Sequence, residues 1–143
     1  KQGLSPAASG VYKRQVQCVF VEPIASPCFL LRLATGDSEL SVYDIGQNNA
    51  TVADGLAVPR ASEMVAQLVA PLVDTVVTVS DAALLAEVRR QWHTHGLRLE
   101  PSAVAGFVAH TMERPALGSN TRAVVWTTGG NGLPDAVFLP LVS

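Results

Sequence analysis

Apolar residues along this chain fall into short dense runs separated by Gly, Pro, Asn and Asp, and their period changes from run to run. Val16 to Val21 (VQCVFV) is a β-rich run stopped by Glu22-Pro23, as expected of a buried strand ending in a loop. Pro27 to Leu33 is a second apolar stretch, whereas Thr35 to Asn49 keeps no period and reads as loop with one short strand. Over Arg60 to Leu72, Met64, Val65, Leu68 and Val69 recur at helical spacing, and Pro71 marks the end. Asp74 to Val79 (DTVVTV) predicts a strand. Ser80 then offers an N-cap, and Asp81 a favourable charge, for a helix through His95 that Gly96 closes. Leu84, Leu85, Val88 and Trp92 form its apolar stripe. Pro101 suits the first turn of a further helix with Val104, Phe107, Val108 and Met112 on one side, ended by Arg114-Pro115. Ala123 to Trp126 (AVVW) predicts the last strand, which runs into Thr127-Thr128-Gly129-Gly130-Asn131-Gly132.

Residues 1–15 (KQGLSPAASGVYKRQ) carry neither period and read as a non-native or disordered leader, which leaves 16–143 as the folded unit. Strands alternating with helices of this length imply an α/β fold with a mainly parallel sheet and flanking helices. In such sheets ligands sit beyond the carboxyl ends of the strands. Glu22, Ser80 and the Thr-Gly run are the residues this rule selects.

Composition narrows the function classes. Ten basic against twelve acidic residues give a net charge of -2, with only 15% charged residues, so no basic surface invites nucleic acid. Every hydrophobic stretch is interrupted before the roughly 20 residues that a spanning helix needs, so no membrane role is expected. Two cysteines, Cys18 and Cys28, lack C-x-x-C spacing and fit a reduced cytoplasmic protein.

The Thr-Thr-Gly-Gly-Asn-Gly run lacks the Lys-Ser/Thr of a P-loop, and Leu-Pro rather than a helix opening follows it. It reads either as ordinary turn chemistry or as a place of close backbone approach. Glu22, Ser26 and Cys28 lie in a Pro-containing loop at a strand end and could offer oxygens to a weakly held monovalent cation, with a plain surface loop as the alternative. His93, His95 and His110 form no metal set and read as helix-surface residues. Asp44 to Arg60 is long for a structureless loop, and its Ile45, Val52, Leu56 and Val58 predict a packed, functional segment.

EPIASPCFLL, SVYDIGQNNATVADGLAVPRAS, LRLEPSAVAG and VVWTTGGNGLP stand in the order and spacing of the C-terminal end of D-serine dehydratases. From about Val19 to Pro134 the chain thus resembles this branch of the fold-type-II pyridoxal-phosphate enzymes, which have a tryptophan synthase β-like fold. The resemblance implies pyridoxal 5'-phosphate as cofactor, a monovalent cation (K+ or Na+), and conversion of D-serine to pyruvate and ammonia by a cytoplasmic, monomeric parent. It implies that Thr128 bonds the pyridine nitrogen, that Gly129 and Gly55 let backbone approach the cofactor, and that Glu100 borders the ring. Glu22, the carbonyl of Ser26 and the Cys28 position would hold the cation. The cofactor-bearing lysine lies upstream in the family, and the only lysines here are Lys1 and Lys13 in the leader, so no catalytic residue is assigned and the segment alone is expected to be inactive. Pro59, Asn131 and the tail FLPLVS depart from the family pattern. Related L-serine or L-threonine dehydratases, serine racemase, and a non-catalytic binding domain of the same fold are the alternatives.

Overall fold

The structure is a computed structural model that describes residues 16–113 and 121–143. Strands β1 (Val19–Pro23) and β2 (Thr75–Val79) pair in parallel, with Val19 opposite Thr75 and Pro23 opposite Val79. A parallel pair needs a crossover, and here it contains α1 (Cys28–Thr35), two 3-10 turns (Val42–Ile45 and Asp54–Leu56), α2 (Glu63–Val69) and a further 3-10 turn (Ala70–Leu72). After β2 come α3 (Asp81–His95), α4 (Pro101–Glu113) and α5 (Asp135–Val142).

Local chemistry sets several of these boundaries. The Ser80 hydroxyl accepts from the Ala83 N–H at 3.3 Å and opens α3; Gly96, at φ +64°, closes it by donating to the Trp92 carbonyl at 2.9 Å. Ser62 caps α2 in the same way, through Val65. By contrast, α1 starts at Pro27, which has no side-chain acceptor, so its first amides need a partner from elsewhere in the fold.

The core lies where β2 (Val77, Val79), α3 (Leu84, Val88), α4 (Val104, Ala105, Val108, Ala109) and α5 (Phe138, Val142) meet. Central α4 packs on both strands and on α3. Its small residues let the returning chain lie close, since a Cβ on Gly106 would stand 2.8 Å from Val125 Cγ1. Phe138 docks α5: its ring meets Trp92 edge-on at 5.3 Å, and the Arg98 guanidinium lies over it at 4.4 Å. Arg98 also donates to the Leu133 carbonyl and, at 2.7 Å, to Asp135.

Several sequence expectations need correction. No strand forms over Ala123–Trp126: residues 121–130 have no regular secondary structure, Val124 and Trp126 are 93% and 82% exposed, and Val125 packs on Gly106 of α4. β-propensity expresses itself only beside a partner strand, and among the described residues this segment has none. The short strand expected within Thr35–Asn49 is replaced by the 3-10 turn at Val42–Ile45, where the Asp44 carboxylate accepts from the Ser41 N–H and hydroxyl at 2.8 and 2.7 Å. β1 begins at Val19 and includes Glu22-Pro23 instead of stopping before them; Pro23 is tolerated as the last strand residue. A helix does follow the Gly-rich run, since Pro134 and Asp135 open α5 and its apolar Phe138 and Val142, four apart, share the buried face. On α3, Leu85 and Trp92 are half-buried, and polar Glu87 and Gln91 are buried in their place. Within Asp44–Arg60, Ile45 and Val58 are exposed; the buried apolar residue there is Ala53, flanked by Val42 just upstream. The leader at 1–15 and the Arg114-Pro115 stop lie outside the described residues.

Candidate functional site

Glu100 immediately precedes α4, and two glycine segments meet the start of this helix. At one, the Glu100 N–H donates to the Gly129 carbonyl at 3.3 Å, and a Cβ on Gly129 would stand 3.2 Å from Glu100 Oε1. Gly130, buried at φ +150°, comes closer: a Cβ there would lie 2.5 Å from Leu99 Cα, 2.8 Å from the Glu100 nitrogen, and against the Arg98 carbonyl. Only a residue without a Cβ permits this apposition. Both sequence readings of the run therefore hold, because a turn follows at Asn131 and the backbone approach is to the chain itself. At the other, the Gly55 N–H donates to the Ser102 hydroxyl at 3.1 Å, and a Cβ there would stand 3.0 Å from the same oxygen. Gly55, Glu100 and Gly129 thus gather at the first turn of α4. Thr128 adjoins them and is exposed, its hydroxyl bonded to no other described residue. The positive N-terminal end of α4 adds a field that favours an anionic group here.

The second predicted set lies at the end of β1. Buried Glu22 supplies the partner that α1 lacks: its Oε1 accepts from the Phe29 N–H at 2.8 Å and its Oε2 from the Leu30 N–H at 2.9 Å. The Cys28 thiol donates to Oε1 at 3.5 Å. Burial first, and then the Glu22 charge, push the Cys28 thiol up to about 12, so it stays protonated at neutral pH. Glu22 and Cys28 are therefore adjacent, as a helix cap with a neutral thiol beside it. The fully buried Ser26 hydroxyl points elsewhere, to Asn49 Oδ1 at 2.7 Å and to the Val58 carbonyl at 3.1 Å.

Three residues that sequence reasoning missed hold this region together. Asn49 accepts from Ser26 and donates through Nδ2 to the Ala57 carbonyl at 3.2 Å. Asp81, at the start of α3, accepts from the Thr51 hydroxyl and from the Val52 N–H at 2.5 and 3.0 Å. Ser102 ties the Gly55 turn to α4. The Asn48-Asn49 pair was a readable signal, since Asn tolerates φ above zero; nothing marked Asp81 or Ser102 beyond their helix-start positions.

Two shallow hollows lie away from both sets, one between α1 and α2 beside Arg32 and Leu33, the other between α3 and α4 beside Glu87 and Val108. Neither brings unshared polar groups together, so the convergence at Glu100 defines the candidate site. His93 is more than a surface residue: its Nε2 lies 2.9 Å from the Val142 carbonyl, linking α3 to the end of α5. Among the described residues no group of three or more His, Cys, Asp and Glu side chains could hold a metal ion, and no helix is long and apolar enough to cross a membrane.

Comparison with known proteins agrees with this architecture. The sequence matches the family described as "Pyridoxal-phosphate dependent enzyme" over residues 3–129. Proteins named "Probable D-serine dehydratase" are similar to it: that of Sinorhizobium medicae is 42% identical over 95% of this chain and 34% of its own length. The one from Burkholderia lata is 40% identical over 92% of this chain and 32% of its own. The chain thus spans about a third of the length of these relatives. Among solved structures, the threonine deaminase of T.th. superposes with a TM-score of 0.66 at 20% identity, over 89% of this chain and 45% of that one. Maize serine racemase does so with a TM-score of 0.59 at 22% identity, over 79% and 32%. These two establish a shared α/β fold.

Proposed function

This chain belongs to the pyridoxal-phosphate dependent enzymes, and from that premise we propose that it is the C-terminal part of a lyase that converts D-serine to pyruvate and ammonia. The observation that carries the reading is the meeting of Gly55, Glu100 and Gly129 at the first turn of α4, with the Thr128 hydroxyl exposed beside them. These residues fit the cofactor chemically. When bound, pyridoxal phosphate supplies an electron sink for loss of the amino acid's α-proton and β-hydroxyl. Thr128 would hydrogen-bond the ring nitrogen without holding it protonated, since a hydroxyl is neutral. Glu100, beside Gly129, would border the ring, and Gly55 would offer backbone from the turn tied to Ser102.

The Schiff-base lysine lies in the upstream part of the parent, and the segment by itself is inactive. A monovalent cation, K+ or Na+, would be held by Glu22, the Ser26 carbonyl and the Cys28 position; what supports the reading is the Glu22 carboxylate lying 3.5 Å from the Cys28 sulfur at the end of β1. The parent works as a monomer in the cytoplasm, where Cys18 and Cys28 stay as free thiols.

The test uses a full-length chain carrying this segment, assayed for pyruvate from D-serine. Thr128→Val is expected to weaken cofactor binding and to lower kcat by about tenfold or more, consistent with loss of one hydrogen bond to the reacting group. Faster deamination of L-threonine than of D-serine would overturn the substrate, and absence of the cofactor's visible absorption band would overturn the whole reading.

A further inference from the structure

We propose that Asn49 is a positioning residue that latches the loop after β1 to the Gly55 turn, so that the two predicted sites move as one unit. Three bonds meet at this residue. Its N–H donates to the Ala25 carbonyl at 3.2 Å, its Oδ1 accepts from the Ser26 hydroxyl at 2.7 Å, and its Nδ2 donates to the Ala57 carbonyl at 3.2 Å. It is also the one described non-glycine residue at positive φ, +58°. A side chain in that conformation costs free energy that surrounding bonds must offset.

The residue type follows from the geometry. One short planar group must accept on one side and donate on the other. Aspartate could accept but not donate, and glycine fits the backbone but does neither. Ser26 strengthens the same junction, because its hydroxyl lies 3.1 Å from the Val58 carbonyl as well. The 54–58 turn is therefore held from the β1 side by Ser26 and Asn49, and from the α4 side by Ser102 at Gly55. Loosening the first anchor leaves the turn held from the α4 side, through Ser102 and through the packing of Ala53 and Leu56, while the core residues of α3 contact neither Ser26 nor Asn49 through a hydrogen bond.

The structural part of this inference stands alone; its effect on the reaction rests on the proposed function. The experiment compares Asn49→Gly, Asn49→Asp and Ser26→Ala in the full-length chain. Hydrogen exchange without cofactor or substrate is the first readout. Asn49→Gly, which preserves the backbone conformation, should speed exchange about tenfold in peptides covering both 22–28 and 50–58, and leave 84–92 unchanged. Asn49→Asp should do so mainly over 50–58, and Ser26→Ala, which leaves the bond from Asn49 to Ala57 in place, should speed exchange over 50–58 less than Asn49→Gly does. With D-serine, KM is expected to rise about tenfold while kcat changes little, a split that mere loss of folded protein would not give. Wild-type exchange in both loops of Asn49→Gly, or equal acceleration across 84–92, would overturn the latch. If the exchange pattern appears but D-serine is not a substrate, the functional reading fails and the latch survives.

Discussion

The segment from Ala25 to Leu72, with two short helices and three 3-10 turns, and the segment from Thr75 to Val142, with one strand and three helices, are stabilised by different forces. In the second, Val79, Leu84, Val88, Val104 and Phe138 are almost fully buried against one another. In the first, Met64 and Leu68 are 69% and 68% exposed, and cohesion comes from polar bonds: Glu22 on the amides of α1, Asn49 on Ser26 and Ala57, and Arg32 paired through two nitrogens with Glu63. Apolar burial is non-directional and tolerates small shifts, whereas a hydrogen-bonded loop holds only when each donor meets its acceptor. The candidate site lies where the two segments meet, at Gly55 and Ser102.

The largest effect is expected at the apolar side. Phe138→Ala removes the ring between Trp92 and Arg98 and should cost about 3–5 kcal/mol, read as a lowered urea midpoint. In the polar segment, Glu22→Ala leaves the first amides of α1 without their acceptor and should cost about 1.5–3 kcal/mol, with the loss of exchange protection confined to 28–35. If that loss spread over α3 and α4, the contrast between the segments would be wrong.

A pH series sharpens the contrast further. Burial raises the Glu87 carboxyl, but hydrogen bonds from Arg90 and Gln91 and the Arg90 charge outweigh it, leaving the group below its ordinary 4.5. Its contribution is therefore fully present above pH 4.5 and lost as pH falls below that value through the lower folded-state pKa. Glu87→Gln should flatten the fall of the urea midpoint in that acid range. The smallest effect belongs to Leu68→Gln, within about 0.5 kcal/mol by thermal melting because the side chain is already in water. Ala66→Leu, on the buried face of the same helix, should instead cost about 1–3 kcal/mol.

Elements with their own punctuation were legible. Ser80 and Gly96 delimit α3 because capping involves only neighbours in sequence, and Pro101 opens α4 for the same reason. The strand at Thr75–Val79 is a β-branched run that finds its partner. Ala123–Trp126 has the same chemistry without a partner and stays irregular. α5 was hidden by Pro140 and by a gap of only eight residues after the last apolar run; docking of Phe138 stabilises it. Within the candidate site, Gly55, Glu100 and Gly129 could be named from motifs, but Ser102, which ties the Gly55 turn to α4, could not.

By itself the sequence determined the residue types: which positions can cap, turn, approach closely or carry charge. These depend on each side chain and its near neighbours. Only the tertiary structure decided that Glu22 caps a helix it does not belong to, that the stripe of α2 faces outward, and that Gly55 and Gly129 face the same turn. Those outcomes depend on donors and acceptors brought together from distant parts of the chain, and no local period records such a meeting.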